Sequence, residues 1–140
     1  MRTALALTIA VSGLLLAGCE NDSVSFQDAE QQGQSLTLIR EQHRFWDHNA
    51  AVALVVARLP DCQRRHALGP TPPDKARVQL FREGERRYLV KQGESWFLAD
   101  AGTCQLSSAA APAAGAQPVA LGAFEREDGR LRFKAAAPPR

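Results

Sequence analysis

The 140-residue sequence lacks the short motifs that announce most enzyme classes. No G-x-S-x-G elbow presents a nucleophilic serine, no Gly-rich loop cradles phosphate, and no HExxH pairs two histidines on a helix. The carboxylates are scattered, so no pair stands out for acid–base work. Cysteine is scarce: Cys19, Cys62 and Cys104 are the only three, and none belongs to a CxxC. No apolar run reaches the roughly 20 residues that a spanning helix needs. Together these absences argue for a protein that is not an enzyme and carries no cofactor.

What is present begins at the N-terminus. Arg2 supplies a positive charge, and residues 4–16 are apolar, with Leu5, Leu7, Ile9, Val11, Leu14, Leu15 and Leu16 among small residues. Ala17 and Gly18 provide small residues for cleavage, which completes the layout of a secretory signal over residues 1–18. The tetrapeptide Leu16-Ala17-Gly18-Cys19 resembles the lipobox of bacterial lipoproteins at every motif position. That resemblance covers about the first twenty residues. It implies diacylglyceryl transfer to the Cys19 thiol, cleavage before Cys19 and acylation of the new amine. Each buried CH₂ is worth about 0.8 kcal/mol, and stable anchoring takes at least two lipid signals, so such an anchor holds permanently. Glu20 stands where retention in the inner membrane uses Asp, so the resemblance implies the outer membrane, facing the periplasm. The alternative is an ordinary signal peptide cut elsewhere, with Cys19 incidental.

Spending Cys19 on lipid leaves Cys62 and Cys104, and an even pair in an oxidising compartment reads as one disulfide. It would close a loop of about 43 residues, worth roughly 4 kcal/mol by chain entropy. Charge is uneven along the chain. Residues 20–57 carry two arginines against six acids, a formal −4, whereas residues 58–91 carry nine cations against four acids, a formal +5. Either the two stretches face each other in the fold, or the basic one meets an anionic partner.

Residues 19–34 are polar and read as the lipidated terminus and a flexible tether; residues 35–106 read as the core of a β domain. Residues 36–46 fit a strand or a helix, and the apolar run Val52-Ala53-Leu54-Val55-Val56 fits a buried strand paired with it. Prolines and Gly69 make residues 60–75 irregular. A three-stranded meander follows through Val78 and Leu80, Tyr88 and Val90, and Trp96 and Phe97, with Gly-centred turns. Residues 107–120 are Ala/Pro-rich and read as a disordered loop. Residues 121–134 form a hairpin about Asp128-Gly129, and residues 135–140 a tail. The expected fold is mainly β: six or seven short strands in a small antiparallel sheet or a partly closed barrel of hairpins. The alternative is α+β with a helix within residues 25–46.

The densest chemical feature is Arg58-Leu59-Pro60-Asp61-Cys62-Gln63-Arg64-Arg65-His66, a run that ends on Arg64, Arg65 and His66. Two planar guanidinium forks suit carboxylate or phosphate, so these three residues are the candidate partner- or anion-binding group. The plainer reading is solvated charge beside a staple. Cys62-x₃-His66 resembles half of a zinc site, with His43 and His48 as distant complements, but Cys62 has a better partner in Cys104. Phe45, Trp46, Trp96 and Phe97 are most simply core. Three functions fit these features. The first is a membrane-anchored, non-enzymatic envelope lipoprotein with a protein partner and no nucleic acid. The second is an inhibitor of lysozyme-like enzymes, since in outline the chain resembles the periplasmic lysozyme-inhibitor lipoproteins. The third is a small-anion or metal binder centred on His66, Arg64 and Arg65. As a whole the chain resembles the small proteobacterial outer-membrane lipoproteins, a likeness that implies no activity.

Overall fold

The computed structural model describes residues 19–138, so the expected signal peptide lies outside the described residues. Those residues form ten strands and no helix. The strands are β1 (Glu20–Gln27), β2 (Gln34–Gln42), β3 (Ala50–Arg58), β4 (Cys62–Thr71), β5 (Val78–Arg82), β6 (Arg87–Gln92), β7 (Ser95–Asp100), β8 (Gln105–Ala109), β9 (Val119–Glu127) and β10 (Arg130–Ala135). They make two antiparallel sheets, ordered β1-β2-β3-β4 and β10-β9-β5-β6-β7-β8. The expectation of a mainly β fold holds. The sheets do not close into a barrel, and strands replace the helix entertained for residues 25–46.

Alternation decides which side of each strand is buried. Along β2, Leu36, Leu38, Arg40 and Gln42 point inward while Thr37, Ile39 and Glu41 are half-buried on the other face. Opposite them in register stand Val56, Leu54 and Val52 of β3. The second sheet answers with Val78, Leu80, Tyr88, Val90, Ala99 and Phe124, and the two inner faces form one core. Full burial of each such side chain stabilises by about 1.5–3 kcal/mol relative to exposure.

Four expectations are corrected. Residues 20–34 are not a tether, because Val24 and Phe26 of β1 pack on the core while Ser23, Ser25 and Gln27 face outward. Most of residues 60–75 is the regular edge strand β4, whose register shifts at Val52/Ala53 and whose Pro70 falls near its end. An edge strand tolerates proline because its outer N–H groups need no partner. Residues 107–109 belong to β8, which pairs with β7, and only residues 110–118 lack strand pairing. Phe45 and Trp46 are not core, with 77% and 54% of their surface exposed. The meander β5-β6-β7 and the hairpin β9-β10 lie where the turn chemistry put them, although β9 starts earlier, at Val119.

The sheets meet along both long edges. On one, Arg126 of β9 pairs with Glu20 of β1 at 2.6 Å, and the Asp22 carboxylate accepts the Leu131 N–H. On the other, the Cys62–Cys104 disulfide joins the start of β4 to the residue before β8, with Cα atoms 6.0 Å apart. Strand register also defines two ends. One, the entry end, holds Cys19, the start of β1 and residues 43–49 between β2 and β3. The other, the distal end, holds residues 28–33, the β3–β4 turn and the disulfide.

Candidate functional site

The residues singled out by sequence divide between the two ends. Cys19 is an exposed free cysteine at the entry end, its Sγ 3.5 Å from the His43 carbonyl oxygen. Cys62 and Cys104 are bonded to each other at the distal end. Arg64, Arg65 and His66 all lie on β4, but alternation puts Arg65 on the face opposite Arg64 and His66. Arg65 forms an ion pair with Glu41 across the sheet at 2.9 Å. His66 faces the other way, with Nε2 2.8 Å from the Cys104 carbonyl oxygen. Arg64 is exposed. The three therefore do not converge on one ligand. The zinc half-site is dismantled as well, since Cys62 is in the disulfide and His66 is held by a carbonyl.

Charge follows the plainer of the two sequence readings. Acids of residues 20–57 meet cations of residues 58–91 within the fold, as Asp28 and Glu30 do with Arg82, and Glu41 with Arg65.

Two polar assemblies were invisible in the sequence. At the distal end, Asp28 has a side chain that is 1% exposed. Its Oδ1 accepts the Glu30 and Gln31 N–H groups at 2.9 and 3.2 Å and Arg82 Nη2 at 3.0 Å. Its Oδ2 accepts Arg82 Nη1 at 2.8 Å and the Tyr88 hydroxyl at 2.6 Å. Burial raises the Asp28 pKa, but the hydrogen bonds from Arg82, Tyr88 and the Glu30 N–H outweigh it and hold the carboxyl below its ordinary value. Burial and the neighbouring Asp28 push the Tyr88 phenol far up, so Tyr88 is a permanent donor.

The second assembly runs toward the entry end. Arg40 is fully buried; among the described residues its Nε and Nη1 have no hydrogen-bond partner, although Nη1 lies 3.6 Å from Glu20 Oε1. Burial, and then the nearby Arg126, lower its pKa, while Glu20 and Asp22 oppose the change. Arg40 Nη2 donates to Gln42 Oε1 at 2.8 Å. Gln42 Nε2 in turn donates to the carbonyls of Phe45 and Asp47 at 3.3 and 3.2 Å. The Arg44 N–H donates to Asp47 Oδ2, and the Asp47 N–H to the Arg44 carbonyl, at 2.9 and 3.0 Å. Residues 44–47 thus form a tight turn fixed from beneath by buried side chains.

Comparison with family models, with curated proteins and with solved structures gave no match. The chemistry of the sites must therefore speak alone. Residues 110–118 leave β8 and return to β9 over the outer face of the larger sheet. A cavity of about 610 Å³ lies beneath them, floored by Leu89 and Leu98 and rimmed by Arg82, Glu83 and Arg87. It is the size of a small-ligand site, and among the described residues no serine, cysteine or histidine lines it. Its apolar floor and charged rim suit an apolar or amphipathic group. Nothing in the composition of residues 107–120 signalled a cavity wall.

Proposed function

We propose that this protein is a lipid-anchored lipoprotein of the periplasmic face of the outer membrane, with a non-enzymatic binding or envelope-assembly role. The observation that carries the reading is Leu16-Ala17-Gly18-Cys19 at the end of an apolar segment led by Arg2. Two further observations support it. Cys19 is exposed, whereas the other two cysteines are already bonded to each other. The polar clusters around Asp28 and Arg40 are engaged in holding strands and turns together, which is a structural use of charge. Glu20 after Cys19 favours the outer membrane.

The test is metabolic labelling of cells expressing the full chain with a palmitate analogue, followed by mass measurement of the N-terminal peptide. The wild type should carry lipid on Cys19 and lack residues 1–18. Cys19→Ala should incorporate no label and retain residues 1–18. An unlabelled wild type, or a labelled Cys19→Ala protein, refutes the reading.

A further inference from the structure

Among the described residues, Phe45 and Trp46 are the largest apolar side chains left open to solvent at the entry end, and they are adjacent. Their rings stack edge to face with centroids 4.6 Å apart, and the Arg44 guanidinium sits 5.8 Å from the Trp46 ring. Two exposed aromatics on a mobile loop would cost little and mean little. Here the turn is held by Gln42, which is held by the buried Arg40, so the display is built into the core. Gln42 thereby ties the turn to a fully buried arginine, whose place in the fold is fixed by its other neighbours as well, Glu20 among them.

The position of the turn identifies its occupant. Cys19 Sγ lies 3.5 Å from the His43 carbonyl, and Trp46 is three residues beyond His43. Three residues span at most about 10 Å. A lipid on Cys19 would place that sulfur at the level of the headgroups, a layer about 5–8 Å deep on each side of a bilayer. The turn is then within reach of the same layer. Indole and phenyl rings with a cation beside them match this zone, where Trp gathers and an apolar face sinks about 5–10 Å. Asp47 spends its carboxylate on the Arg44 N–H, so the Arg44 guanidinium remains for anionic headgroups.

We propose that residues 43–49 are a second membrane contact: Phe45 and Trp46 insert at the bilayer interface beside the lipid on Cys19 and fix the domain's orientation. The inference rests on the anchored reading above.

The test uses the full chain, processed in cells, purified and returned to phosphatidylethanolamine–phosphatidylglycerol vesicles. Trp96 lies on the other sheet, 5.6 Å from Phe81, and serves as the internal reference. Brominated lipid should quench the emission of a Trp96→Phe variant, which retains Trp46, several-fold more than that of a Trp46→Phe variant, which retains Trp96. If Trp96→Phe fails to fold, the loss of quenching from wild type to Trp46→Phe carries the same information. A mass showing lipid on Cys19 with no selective quenching of Trp46 overturns the inference and leaves the anchor standing. The same holds if Trp46 is shielded from iodide in intact envelopes yet untouched by brominated lipid, since a protein then covers it. An unlipidated mass removes the anchored reading, and the inference with it.

Discussion

Replacing Asp28 with alanine tests whether the distal cluster holds the two sheets together. Asp28 belongs to the β1–β2 connection, while Arg82 and Tyr88 come from the other sheet, so the carboxylate is a polar rivet through the sandwich. Removing it takes the acceptor from Arg82 Nη1 and from the N–H groups of Glu30 and Gln31, leaves Arg82 Nη2 with only the exposed Glu30 carboxylate at 3.4 Å, and leaves the Tyr88 hydroxyl with Gln34 alone. Deleting one partner of a buried pair costs about 3–5 kcal/mol, because the other charge is left without compensation. A domain of ordinary stability has only about 5–15 kcal/mol in hand. With a urea slope near 2 kcal/mol/M, the unfolding midpoint should fall by about 2 M, read by tryptophan fluorescence.

Asp28→Asn separates charge from shape and should cost less, about 2 kcal/mol. It should also change the response to acid. The folded carboxyl titrates below its ordinary 3.8, so its contribution is complete at neutral pH and disappears as pH falls from that value through the folded pKa. The wild type should therefore lose more stability in this window than Asp28→Asn does. A midpoint for Asp28→Ala within about 0.5 M of wild type would refute the rivet, given that slope. Identical acid limbs for wild type and Asp28→Asn would refute the electrostatic part.

Two more perturbations probe the frame. Cys62→Ser with Cys104→Ala should cost roughly 4 kcal/mol, the entropy of the released loop, and dithiothreitol should lower the melting temperature of the wild type but not of the double variant. Gly122 has φ of 151°, and a Cβ there would run into the Lys134 carbonyl oxygen and come within 2.7 Å of Phe133 Cζ. Gly122→Ala should destabilise by at least about 1–3 kcal/mol in thermal melts, whereas Gly84→Ala, with open space around it, should be nearly silent.

Local signals carried the hairpins, and distance hid the rest. Glu83-Gly84-Glu85 and Asp128-Gly129 sit between alternating runs, so neighbours in sequence already contain the register of β5-β6 and β9-β10. β1 also alternates through Ser23-Val24-Ser25-Phe26-Gln27, but its polar outer face imitates a linker. β4 and β8 are edge strands, where charge, proline and serine are tolerated because one side of the ladder is open. Arg40 interrupted the apolar alternation of β2 and so resembled a break, although it points inward like its neighbours. The Asp28 cluster joins residues 54 and 60 positions apart, a separation no period reveals. Of the site residues, the cysteine pair was legible by counting. The turn at Phe45 and Trp46 was not, since exposed and buried aromatics are spelled alike.

β1 begins at Glu20, immediately after Cys19, and that adjacency sets an order of events. Glu20 is matched to Gln42 across the ladder and clasped by Arg126 and Arg40. An enzyme that attaches lipid to Cys19 and cuts before it needs the flanking chain extended and accessible. Once β1 has zipped onto β2, the chain after Cys19 is fixed in the sheet, although Cys19 itself stays exposed. On the anchored reading, modification precedes closure of the sandwich, and the last strand to dock is the first one made.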